Sequence, residues 1–373
     1  MHPDFQHFMN RATQLTQSGD LAAATAAIQS ALRGFPAAVQ PRQDDADVID
    51  VEAWEVPDAV PAAGAAQPIH DDAARPSQKP GTVGDTFTAG SFRNSSGQRG
   101  YKLYVPPNPD GAPRPLVVML HGCTQDADDF AAGTAMNAAA REQGFYVLYP
   151  IQSRDANPQK CWNWFKHNHQ QQGRGEPSIL AGMTREVIAK HGIDPARVYV
   201  AGLSAGGAMA AILAGAYPDL YAAAGVHSGL AAGAASDLPS ALSAMKGVGL
   251  KAAPPAANRV PVIVFHGDRD ATVHPGNADS VIAASVGSDI RAETVRVPGA
   301  SNKRSSTRHV YRDAAGVIVA ERWDVHGAGH AWSGGTNQGS YTDQTGPDAT
   351  AEMLRFFFNT INPRHAARAA GAP

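Results

Sequence analysis

Residues 198–206 read VYVAGLSAG: Val198, Tyr199, Val200 and Ala201, followed by Gly202-Leu203-Ser204-Ala205-Gly206. The apolar run before Gly202 predicts a short buried strand. Residues 205–217 are rich in alanine and stop before Pro218, which predicts a helix. Between them stands the pattern Gly-x-Ser-x-Gly, which occurs once in the chain. A strand that turns at once into a helix strains the residue at the bend. A glycine on each side gives that bend room and lifts the Ser204 hydroxyl clear of the sheet. The alternative is a small-residue turn in which Ser204 only caps the helix, but capping requires no glycine on both sides.

Outward from this point the chain keeps the same rhythm. Residues 101–105, 115–120, 145–149, 222–226 and 262–266 are short apolar runs of the kind that form buried strands. Residues 178–191 and 352–360 carry helical spacing, and residues 308–311 and 317–325 read as an antiparallel hairpin across Asp313-Ala314-Ala315-Gly316. Helices alternating with buried strands imply an α/β domain with a mostly parallel central sheet and helices on both faces. With a serine elbow, that is the α/β-hydrolase fold. The catalytic domain is expected over residues 84–362, with a flexible tail at 363–373.

Two further zones precede it. Residues 1–35 place apolar side chains at helical spacing on either side of Ser18-Gly19-Asp20. They predict an amphipathic helical segment, which either docks on protein or adheres to an apolar particle. Residues 36–83 are rich in Pro, Ala and acids without periodicity, and read as a linker. The chain of 373 residues has a formal net charge of -3, which sets up no field to attract nucleic acid. No stretch approaches the ~18 apolar residues that span a bilayer. The first residues lack the basic and apolar regions of a secretory leader, so a cytoplasmic location is expected unless a leader has been removed. The two cysteines, Cys123 and Cys161, are too few for a tetrahedral zinc site, and the residues leave open whether they pair. No metal or cofactor is implied.

A serine hydroxyl needs a base, and the base needs an acid that orients it. In this fold they follow the serine in the order acid, then histidine. The strand at 262–266 runs into Gly267-Asp268-Arg269-Asp270, where Asp270 lies further past the strand end and is the favoured acid. Asp268 is expected to shape the turn. Of the four later histidines, His309 lies in a strand and His274 follows the acid too closely. His330, in the glycine-flanked loop Gly327-Ala328-Gly329-His330, is the expected base, with His326 as a supporting residue. Donors for the oxyanion are expected from the Ala205 N–H and from the Cys123 N–H, in the loop His121-Gly122-Cys123-Thr124-Gln125 after the strand at 115–120. A reactive thiol at Cys123 is the rival reading of that loop.

The blocks LHGCTQ (120–125), CWNWF (161–165), GLSAGG (202–207), HGDRDATVHP (266–275) and GHAWSGG (329–335) together resemble the poly(3-hydroxybutyrate) depolymerase family of esterases. The resemblance covers roughly residues 84 to 362. It implies a Ser-Asp-His triad on Ser204, Asp270 and His330 and a disulfide between Cys123 and Cys161. It also implies an ester substrate: poly(3-hydroxybutyrate) or its oligomers, or alternatively a feruloyl or acetylated carbohydrate ester, since the family includes such enzymes. Trp162, Trp164 and Trp332 are expected to line a groove for an apolar polyester, with core packing the alternative for Trp162 and Trp164. The absence of a C-terminal polymer-binding domain and of a leader resembles the intracellular members, so association with a storage granule is expected. A scaffold protein with a vestigial site is the competing class.

Overall fold

The computed structural model describes residues 84–365 apart from 109, 251–259 and 287–289. They fall within the second of two units into which the chain divides, Ser77–Pro373. The helical segment expected at 1–35 and the linker at 36–83 lie outside the described residues.

In chain order the elements are β1 (Thr86–Asn94), β2 (Gly97–Val105), β3 (Arg114–Leu120), α1 (Ala127–Thr134), α2 (Met136–Gln143), β4 (Tyr146–Ile151), α3 (Gly175–Lys190), β5 (Ile193–Leu203), α4 (Ala205–Ala216), β6 (Ala223–His227), α5 (Leu238–Met245), β7 (Val262–Gly267), α6 (Gly276–Val286), β8 (Ala292–Val297), β9 (Ser306–Arg312), β10 (Ile318–Val325), two two-residue strands β11 (Trp332–Ser333) and β12 (Thr342–Asp343), and α7 (Ala349–Phe358). The large sheet has ten strands in the order β1-β2-β4-β3-β5-β6-β7-β10-β9-β8. The strands from β4 to β10 in that order pair in parallel, and the two flanks are antiparallel. This is the expected α/β-hydrolase fold.

The central strands are apolar on both sides because both faces are covered. Val118, Val200 and Val264 join one core with Met183 of α3, Leu213 of α4 and Val281 of α6. Their neighbours Val117, Tyr199 and Ile263 join the other core with Phe130 of α1 and Met353 and Phe357 of α7. The period-two alternation of side chains along a strand thus divides the interior into two layers. Parallel strands put their C-terminal ends at one edge of the sheet, where reactive groups gather in such folds. Residues 121, 204, 228 and 268 all follow strand ends there.

The tail expected to be loose from residue 363 begins held. Residues 363–365 form a helical turn. The buried Asn362 before it donates to Asp219 O at 3.1 Å, and His365 Nε2 lies 3.0 Å from the same carbonyl. Side-chain bonds from residues past α7 to the Asp219 carbonyl supply an anchor that the Ala/Arg/Pro composition of the tail hides.

Candidate active site

Ser204 stands between β5 and α4 with φ 58° and ψ −118°, a backbone conformation costly for any residue but glycine. The two flanking glycines explain how it fits. A Cβ on Gly206 would lie 2.0 Å from Leu120 O, and one on Gly202 would lie 2.4 Å from the Gly206 backbone. The elbow therefore packs directly on the end of β3. The Ser204 N–H donates to His227 O at 2.9 Å, which fixes the elbow to β6. As the first residue of α4, Ala205 offers an N–H that has no intrahelical acceptor, and no other protein acceptor takes it among the described residues.

The loop after β3 lies against this elbow. A Cβ on Gly122 would stand 3.7 Å from Ser204 Cβ. The loop is held on several sides: Gln125 Oε1 accepts the Gly122 N–H at 2.9 Å, and Gln159 O accepts the Thr124 N–H at 2.7 Å. Cys123 is bridged to Cys161. Its thiol is thus consumed, which removes the reactive-thiol reading. The Cys123 N–H, next to the Gly122 that lies against Ser204, has no protein acceptor among the described residues either.

On the other side, Asp270 and His330 meet across the β7 and β10 ends, with His330 Nδ1 2.7 Å from Asp270 Oδ2. The Asp270 side chain is sealed from solvent, whereas the His330 side chain keeps 12% of its surface exposed. Burial alone would raise the Asp270 pKa. Hydrogen bonds from His266 and His330, with the Val273 N–H, outweigh it and hold the carboxyl well below the usual carboxylate range. Asp268 instead reaches back to the loop that follows β10, accepting the Gly327 N–H at 2.7 Å and pairing with His326 Nδ1 at 3.1 Å. Gly267 lets this happen, since a Cβ there would lie 2.3 Å from Ala328 O.

Ser204 Oγ makes no hydrogen bond to His330 among the described residues; such contacts are commonly long without substrate. A buried histidine links the two halves. The carbonyl of His227 holds the Ser204 N–H, and its Nε2 accepts the Ser333 N–H at 2.9 Å, three residues past His330. Its ring stacks on Phe265 and Trp332. Desolvation, assisted by the nearby His266 and His330, pushes its pKa down to about 3, so the ring is neutral and Nε2 is free to accept. Sequence reasoning missed His227. Its only signal was a polar residue at the end of an apolar strand.

The three tryptophans do not line a groove. Trp162 is fully buried, with Nε1 donating to His121 O at 3.1 Å. Trp332 lies edge-on to Phe130 and donates to Thr350 Oγ1 at 3.1 Å. Trp164, 5% exposed, packs in the same core layer as Trp162. Each indole finds its polar partner or its apolar neighbours inside the protein, so burial wins over display. Among the described residues, no group of three or more His, Cys, Asp or Glu side chains is placed to hold a metal. No helix among them is long and apolar enough to cross a membrane.

The fold and the elbow define an α/β-hydrolase with a serine at the nucleophile position. More narrowly, the chain belongs to the esterase PHB depolymerase family, whose profile matches residues 99–311. It is 34% identical over 238 residues to poly(3-hydroxyalkanoate) depolymerase C of Paucimonas lemoignei, covering 60% of this chain and 56% of that protein. It is also 34% identical over 122 residues to feruloyl esterase B of Thermothelomyces thermophilus, covering 32% and 40% respectively. The chain spans about half the length of the curated relatives it matches. Among solved structures, an acetyl xylan esterase from Aspergillus awamori superposes with a TM-score of 0.52 at 24% identity, over 62% of this chain and 89% of that one, which supports the fold.

Proposed function

We propose that the protein is a serine carboxylic-ester hydrolase that cleaves poly(3-hydroxybutyrate) or its oligomers through an acyl-enzyme on Ser204. The observation that carries the proposal is the Asp270–His330 hydrogen bond, whose loop His227 ties to a serine held in a strained elbow. Asp270 holds Nδ1 as the protonated ring nitrogen and leaves Nε2 as the base. His330 takes the Ser204 proton while Oγ attacks the ester carbonyl. The Cys123 and Ala205 N–H groups receive the oxyanion, and each is worth ~3 kcal/mol of transition-state stabilisation. Collapse expels the alcohol, protonated by His330, and a water activated by the same base then releases the acid.

The polyester substrate is supported by the similarity to a poly(3-hydroxyalkanoate) depolymerase. Shorter matches to feruloyl and acetylxylan esterases support the second reading, a carbohydrate esterase with the same machinery. Incubation with amorphous polyhydroxybutyrate, hydroxybutyrate trimer and a feruloylated arabinoxylan separates them. Release of 3-hydroxybutyrate is expected, and release of ferulate alone would replace the first reading with the second. Ser204→Ala is expected to fold and to lose hydrolysis of a p-nitrophenyl ester; retained activity would remove Ser204 from the mechanism. The Cys123–Cys161 bridge favours an oxidising compartment over the cytoplasm. Granule association is tested by deleting residues 1–83 and sedimenting the protein with polymer granules.

A further inference from the structure

Glu176 is a carboxylate that the mechanism above does not use. It is the second residue of α3 and is 1% exposed. A buried carboxylate is tolerated only when donors occupy its oxygens, and here they do. Oε2 accepts the Asn163 N–H at 2.7 Å and lies 3.5 Å from His169 Nδ1. Oε1 accepts from Asn163 Nδ2 at 2.7 Å, from Arg99 Nη2 at 3.1 Å and from Gln152 Nε2. Burial alone would raise its pKa, but the bonds from His169, Gln152 and the Asn163 N–H outweigh that and bring it down to about 2.

What this carboxylate holds is the backing of the oxyanion loop. Gln152 Nε2, gripped by Glu176, also donates to Cys161 O at 2.9 Å. Cys161 is bridged to Cys123. The next residue, Trp162, donates to His121 O, and Gln159 O takes the Thr124 N–H. A second arm runs through the Gln152 N–H, which donates to His121 Nε2 at 3.2 Å. The segment 159–163 therefore clamps residues 121–124 by a covalent bond and two hydrogen bonds, and Glu176 clamps that segment in turn.

We infer that Glu176 is a positioning residue of the oxyanion hole, setting the Cys123 N–H through the Cys161 segment and Gln152. This rests on the assignment of Cys123 as an oxyanion donor. Glutamine in its place has the same shape but the wrong polarity. Its amide would turn an NH2 toward either the Asn163 N–H or the Gln152 and Arg99 donors, and the clamp would open.

The test compares Glu176→Gln and Gln152→Leu with the unmodified full chain. The readouts are kcat and KM on a p-nitrophenyl ester, normalised to active sites titrated with a fluorophosphonate, and the affinity for phenylboronic acid, whose adduct on serine is tetrahedral. A displaced donor acts on the transition state and not on ground-state binding. In Glu176→Gln we expect kcat to fall about tenfold or more, short of the ~100-fold that a 1 Å misplacement can cost. KM should stay within about twofold, and boronate affinity should fall in step with kcat. Gln152→Leu should shift the same quantities in the same direction, and it carries the test if Glu176→Gln does not fold. Unchanged kcat per titrated site in the folded variants would overturn the inference, even if their thermal midpoints drop. Failure of the serine assignment would show separately, as activity retained in Ser204→Ala.

Discussion

Asp270 Oδ2 lies 2.7 Å from His330 Nδ1, although 60 residues of chain separate the pair. Asp268, two residues earlier, faces His326 instead, with a side chain that keeps 42% of its surface exposed. The two carboxylates thus have expected effects on catalysis of very different size. Asp270→Asn places an amide against donors from Thr272, Val273 and the histidines. It should cut kcat by on the order of 10³- to 10⁴-fold, as loss of the orienting acid does elsewhere. Asp268→Asn removes an exposed pair worth under ~1 kcal/mol and should leave kcat within about fivefold. Steady-state kinetics on a short ester decide it, and equal losses in both variants would reject Asp270 as the sole acid.

Glycines of the same helix should differ in sign. An alanine methyl at Gly206 meets Leu120 O and His121 O, both backbone atoms that cannot rotate away. Gly206→Ala should destabilise by about 1–3 kcal/mol and disturb the oxyanion loop as well. At Gly215 a Cβ meets nothing within 4 Å, and the residue is helical and exposed. Gly215→Ala should stabilise by roughly 0.5–1 kcal/mol with activity unchanged. Urea unfolding of both variants checks the pair, and destabilisation by Gly215→Ala would contradict the open space seen there.

The central strands were legible because their pattern is set by complete burial. Residues 115–120 and 262–266 are unbroken apolar runs because helices cover both faces of the sheet. β8 escaped because four of the six residues in AETVRV are exposed and none is buried, so no buried face marks it. β5 begins at Ile193, before Val198, because a register shift against β3 absorbs the stretch that contains Pro195. The elbow at Ser204 was legible through its flanking glycines, and the pairing of Asp270 with His330 through their places in loops past strand ends. Glu176 and His227 were not, since their meaning lies in partners far along the chain: Arg99 is 77 residues from Glu176, and Ser333 is 106 from His227. The tryptophans were misread for the related reason that proximity to a motif in sequence says nothing about which way a ring turns.

The Cys123–Cys161 bridge closes a loop with a sequence separation of 38. In the chain-entropy account such a loop contributes about 4 kcal/mol to stability. Cys161→Ser should therefore lower the unfolding free energy by about that amount. The Thr124–Gln159 and Trp162–His121 bonds remain in this variant. Activity per folded molecule should accordingly fall without vanishing. Denaturant unfolding and kcat measured with and without reductant test both statements. Insensitivity of the unmodified enzyme to reductant, in stability and rate alike, would show that the bridge has no part in holding the loop.

Two buried histidines predict how the protein responds to acid. Burial pushes the His121 pKa down to about 4 and the His227 pKa down to about 3, from an ordinary value of 6.5. Below pH 6.5 the unfolded chain therefore binds protons that the native state refuses. Stability is full above that pH and is lost as pH falls toward the folded values. The slope is about 1.4 kcal/mol per pH unit for each proton. Glu176 adds a second loss beginning near its ordinary value of 4.5 and continuing to about 2, because its native carboxylate resists the proton that the unfolded one accepts. His227→Gln keeps an acceptor for the Ser333 N–H and a donor for Ser228 while removing one titrating group. Its unfolding free energy, measured in urea across pH 7 to 4.5, should fall less steeply than that of the unmodified protein, by one proton's worth of slope. Identical slopes would mean that His227 is protonated in the native state, and its ring could then not accept the Ser333 N–H that ties the His330 loop to the serine elbow.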